Sequence, residues 1–93
     1  MLNKYYKMDA EAEGTKIGDW IVVEIVNNRV VRQVYSVSDN LYWSTSTDSK
    51  SGRWEFVFDP EINKEDIDFI IKYLNGEVLS QDDFELIWSK SKL

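Results

Sequence analysis

Two runs rich in β-branched residues, "DWIVVEIV" (19–26) and "RVVRQVYSVS" (29–38), stand either side of Asn27-Asn28. Val and Ile suit a pleated, half-buried surface, and asparagine tolerates the positive φ that a tight hairpin turn demands. The pair therefore predicts an antiparallel hairpin, and everything else in the chain must pack on it. Its register can be argued from charge. A three-residue loop, Asn27 to Arg29, sets Glu24 opposite Arg32 and Val22 opposite Val34, a cross-strand ion pair of roughly 0.2–1 kcal/mol. A two-residue loop instead sets Glu24 opposite Val31 and Val23 opposite Arg32. The first is preferred, because a slip of one residue would turn every side chain to the other face.

Further strand signals surround the hairpin. "LNKYYKM" precedes it, beyond a polar loop "DAEAEGTKIG". "LYWSTST" follows a turn at residues 38–40, and "RWEFVF" follows another at 48–52, with Trp54, Phe56 and Phe58 on one face by period two. The period then changes at Asp59-Pro60. Ile67, Ile70, Ile71 and Leu74 follow helical spacing, and Ile62, Phe69 and Tyr73 widen the apolar arc to roughly 200°. Asp59 with Pro60, or Asn63 with Asp66, would start this helix; Asn75-Gly76 would end it, with glycine at the position after the cap. "EVL" is a short strand or link. Ser80 caps a last helix, with Asp83 three residues on and Phe84, Ile87 and Trp88 facing inward. The expected fold is α+β: an antiparallel sheet of four or five strands, as a meander, followed by two helices packed on one face. The 93 residues are expected to form a single domain, with one core supplied largely by 13 aromatics.

Composition removes whole classes of function. Without cysteine there is neither a disulfide nor a thiolate metal site, and without histidine there is no Ser-His or Cys-His nucleophile. No calcium-loop spacing appears in "EINKEDID", so no metal and no cofactor is expected. An enzyme would have to work with carboxylates alone, and none is expected. The N-terminus lacks the apolar core of a signal peptide, and no apolar run approaches a membrane span, so the expected location is cytoplasmic.

Charge is uneven within a net −6. Residues 1–53 carry seven acidic and seven basic side chains, whereas residues 54–88 carry ten acidic and two basic. With no basic stripe, direct nucleic-acid binding is not expected; an acidic half suits a basic protein. The candidate contact residues are Glu61, Glu65, Asp68, Asp82 and Glu85, which would form one patch if the two helices lay side by side. Trp20, Tyr35 and Tyr42 are candidate aromatic anchors, because helices on one face would leave the other face of the hairpin open. The plainer readings are a solvated acidic face and aromatics that fill the core. A free sheet edge offers a further mode, in which a partner peptide adds a strand.

The closing stretch places Ser80, Asp83, Phe84, Glu85, Ile87 and Trp88 in the form Ser-x-x-(Glu/Asp)-Phe-Glu-x-(Ile/Leu)-Trp. Together with "RVVRQVYSVSDNLYWSTS", a Val-Arg-x-Val core leading through an acidic turn to an aromatic strand, it resembles a family of small, mostly uncharacterised bacterial domains. The resemblance covers most of residues 18–90. It implies an immunity protein, which binds the antibacterial toxin encoded beside it and occludes the toxin's active site.

Overall fold

The computed structural model describes residues 3–10, 19–38, 41–46 and 61–91, with the backbone alone for 37, 38, 41–43 and 45. Five strands are present among the described residues: β1 (Lys4–Asp9), β2 (Trp20–Val26), β3 (Arg29–Ser38), β4 (Leu41–Ser46) and β5 (Glu77–Val78). Two helices, α1 (Lys64–Tyr73) and α2 (Gln81–Lys90), flank β5 in the chain. The sheet order is β4-β3-β2-β1-β5, and every neighbouring pair is antiparallel. The α+β fold expected from the pattern is present, and its fifth strand is the two-residue β5. The strand expected at residues 53–58 lies outside the described residues.

The β2–β3 hairpin combines both registers. Val26 pairs with Arg29 across the two-residue turn Asn27-Asn28, whose φ values are 54° and 62°. Ile25 pairs with Val30, and a bulge then leaves Val31 unpaired. Beyond it Glu24 faces Arg32 and Val22 faces Val34, as the charge argument requires. The bulge reconciles a turn that wants two positive-φ residues with side chains that need the other register.

The helices lie on opposite faces of the sheet, not on one. Alternation along β2 sends Ile21, Val23 and Ile25 to one face, where they cluster with Tyr6, Met8, Val30, Ile62 and Ile70. On the other face Val22, Tyr5 and Val34 cluster with Phe84, and Trp20, Leu79, Ile87 and Trp88 pack around them. Ile70 is the buried residue of α1 and Phe84 that of α2. The physical reason is that β1 and β2 are apolar on both sides. Each face needs a cover, and one amphipathic helix is given to each. The chain crosses between them along the sheet edge, where β5 pairs with β1 and the Leu79 N–H donates to the Tyr5 carbonyl at 2.9 Å.

Local signals fix the helix ends. Of the two rival starts for α1, Asn63 caps it. The Asp66 N–H donates to Asn63 Oδ1 at 3.0 Å and the Asn63 N–H to Asp66 Oδ2 at 2.9 Å, a reciprocal capping box. Ahead of it, the Ile62 N–H donates to the Asn28 carbonyl at 2.9 Å and Glu61 bridges to Arg29, so the entry to α1 is tied to the hairpin turn. After α1 the left-handed residue is Asn75 (φ 51°), where glycine had been expected to be needed. Gly76 is required for space instead: a Cβ there would lie 2.4 Å from Ile70 Cγ2. Ser80 caps α2, accepting from the Asp83 N–H at 3.1 Å.

Candidate functional site

The outward side of α1 carries the surface most suited to a partner. Glu65, Phe69 and Tyr73 are four residues apart and form one ridge; Asp68 and Lys72 form the next. Phe69 is 49 % exposed and Tyr73 59 %, yet their rings hold each other, with centroids 5.2 Å apart at 43°. Lys72 Nζ lies 5.2 Å from the Tyr73 ring centroid. Glu65 and Asp68 are exposed, as is Glu61 just ahead of the helix. Glu61 reaches Arg29 at 3.6 Å, an exposed ion pair worth at most about 1 kcal/mol. A ridge of paired aromatics beside carboxylates offers apolar area at little entropic cost, within an acidic field.

The helical spacing counts Phe69 and Tyr73 within the same wide apolar arc as the core-facing Ile70. The signal that separates them is the width itself. A helix lying on a sheet buries little more than a 100° stripe, so the edges of a 200° arc must protrude. Ile70 sits at the centre of the stripe and is fully buried, Ile67 and Leu74 are half-buried, and Ile71 protrudes on the opposite flank at 51 % exposure.

The remaining acidic candidates do not join this ridge. Asp82 is exposed on α2, across the sheet. Glu85, also on α2, is committed within the chain. Arg32 forks Glu24 through Nε at 2.6 Å and Nη2 at 2.9 Å, and it also bonds both oxygens of Glu85, one through Nη1 at 3.3 Å and the other through a short Nη2 contact. The Arg32 guanidinium lies over the Phe84 and Trp88 rings at 4.9 and 4.8 Å. Asn3 Nδ2 completes the group, donating to Glu24 Oε2 at 3.3 Å. Burial pushes the Glu24 carboxyl up, but the Arg32 hydrogen bonds and charge outweigh this and hold it below its ordinary value. Burial pushes the Tyr5 hydroxyl up. The arrangement fastens α2 to the sheet. The expected single acidic patch is thus two separate ones.

The aromatic candidates are also redistributed. Trp20 is half-buried against the Phe84 cluster, with its backbone N–H donating to Ser36 Oγ at 2.7 Å and Lys7 Nζ 5.4 Å from its ring. Tyr35 is half-buried against the Ile70 cluster. Tyr42 pairs with Ser36 in the β3–β4 ladder, and its side chain lies outside the described residues. Of the sheet edges, β5 offers only two residues, with Val78 74 % exposed, which is a poor template for strand addition. A polar cleft of about 500 Å³ beside the hairpin turn is lined by Asn28, Arg29, Glu61, Asn63 and Asp66. The capping box and the exposed ion pair engage the side chains of Asn63, Asp66, Arg29 and Glu61 there. Among the described residues, no helix is long and apolar enough to cross a membrane.

No match exists. The sequence meets no family model, and neither a curated protein nor a solved structure matches it.

Proposed function

We propose that the chain works by binding a basic protein, and that this partner is an antibacterial toxin domain whose active site it covers. The observation that carries the reading is the exposed Phe69–Tyr73 ring pair beside Glu65 and Asp68 on α1. Exposed aromatics in contact with one another are costly unless something uses them, and flanking carboxylates select a positive partner. That the partner is a toxin rests on the closing motif Ser80 to Trp88 and its resemblance to immunity domains. An occluding inhibitor needs rigid contact area and no catalytic group. The α1 ridge meets that need, seated on the sheet through Ile62 and Ile70.

Co-expression with the product of the adjacent gene tests this. The expected result is that the neighbouring product alone arrests growth and that this chain restores it, with the two proteins co-purifying in equal amounts. A neighbouring product that is harmless, or a toxicity unaffected by the chain, rules the reading out.

A further inference from the structure

The inner face of α2 and the outer face of α1 each carry an aromatic pair four residues apart beside carboxylates, on opposite flanks of the pair in the two helices. On α2, Phe84 and Trp88 stand four residues apart with Glu85 between them in the chain, and together with Glu24 of β2 they hold one arginine. The Arg32 guanidinium lies 4.9 and 4.8 Å from the two ring centroids while Glu85 accepts its hydrogen bonds. On α1, Phe69 and Tyr73 stand four residues apart with their rings 5.2 Å from each other, Asp68 directly precedes them, and Glu65 lies one turn before. The α2 site is filled from within the chain. The α1 site faces solvent, with Lys72 Nζ 5.2 Å from the Tyr73 ring centroid.

We propose that the outer face of α1 is an arginine-binding site, taking a guanidinium from an arginine-bearing segment of the protein partner. The planar guanidinium stacks on Phe69 and Tyr73, and the carboxylates of Glu65 and Asp68 accept its N–H groups. Arginine is favoured over lysine because it can stack and fork at once, whereas an ammonium is a compact, strongly hydrated point charge. Lys72 competes for the Tyr73 face and moves aside. The inference deepens the proposed function and rests on it for the identity of the partner, but not for the chemistry of the site.

Oligo-arginine and oligo-lysine peptides of equal length, titrated into the isotopically labelled full chain by NMR, test it. The expected result is that both bind weakly at low salt, with oligo-arginine tighter by roughly two- to fivefold. Amide shifts should centre on Glu65, Asp68, Phe69 and Tyr73. A Phe69→Leu, Tyr73→Leu double variant, checked for folding by its own spectrum, should equalise the two peptides while keeping the attraction of charge. Lys72→Gln should widen the preference for arginine. Equal affinities in the native chain, shifts centred on Asp82 and Asp83, or a preference that survives the double variant would overturn the proposal. So would peptide-free, concentration-dependent shifts at the same residues, which would assign the face to a second copy. If co-expression rescues growth while the preference is absent, the inhibitor reading stands and the arginine site does not.

Discussion

Arg32 on β3 holds Glu24 of β2 through two hydrogen bonds, at 2.6 and 2.9 Å, and extends the same guanidinium to Glu85 of α2. Glu24 is buried, so removal of its partner strands a carboxylate in the sheet. Arg32→Ala should therefore cost about 3 kcal/mol, the low end for a buried pair because the arginine is partly exposed. Glu85→Gln should cost under about 1 kcal/mol, since that side chain is 43 % exposed. Denaturant titrations of the two variants check the order. Equal losses would show that the cluster acts as one unit and not as a buried pair with an outer tie.

The same cluster sets how stability depends on pH. Glu24 is held below its ordinary value of 4.5, so the unfolded chain binds the proton first as pH falls. Its contribution is present in full above about pH 4.5 and is lost as pH drops through the lower folded value. Tyr5 is raised above 10.0, so stability falls again as pH rises past that point, where only the unfolded chain ionises freely. Thermal unfolding across pH should show both limbs, and Glu24→Gln should flatten the acid one.

Gly76 is predicted to be required for its size. A Cβ would meet the Ile70 side chain at 2.4 Å and the Ile70 carbonyl oxygen at 2.8 Å, while the Gly76 N–H bonds that same oxygen. Gly76→Ala should cost roughly 1–3 kcal/mol by forcing the end of α1 apart. Asn75→Gly should cost less, because glycine adopts the φ of 51° freely and the change removes only an exposed hydrogen bond from Asn75 Nδ2 to Asp9 Oδ2 at 2.6 Å. Chemical denaturation of both single variants distinguishes the two roles, and a costly Asn75→Gly beside a silent Gly76→Ala would reverse them.

What the sequence made legible was mostly local. The Glu24–Arg32 pairing, the Asn63 and Ser80 caps and the inward Phe84 all follow from spacing within one element or one hairpin. The opposed helices did not follow, although the cause was visible: Tyr5-Tyr6 and Ile21-Val22-Val23 are apolar on both sides of their strands, and a sheet of that kind asks for two covers. Expecting one covered face also made Trp20 and Tyr35 candidate exposed anchors, whereas both are half-buried and the exposed rings are Phe69 and Tyr73. The tie from Arg32 to Glu85 spans the sheet and a helix, and no spacing rule reaches that far.

If the α1 ridge exists for binding, its aromatics should be dispensable for folding. Phe69→Ser and Tyr73→Ser together should change stability by no more than about 1 kcal/mol, because both rings stand half in water. Thermal melts check this. A loss comparable to that of Phe84→Ala, roughly 3–5 kcal/mol for a fully buried ring, would make them part of the core.

The most direct test of the account is the affinity for the toxin domain that co-expression identifies, measured for two charge-reversal variants at low and high salt. Glu61→Lys, Glu65→Lys and Asp68→Lys together should weaken the complex by at least about 30-fold, mainly by slowing association, with the difference shrinking as salt rises. Asp82→Lys with Asp83→Lys, on the opposite face of the sheet, should leave it within a fewfold of the native value. Native affinity in the α1 variant at both salt concentrations, or a loss confined to the α2 variant, would contradict the assignment of α1 as the binding face.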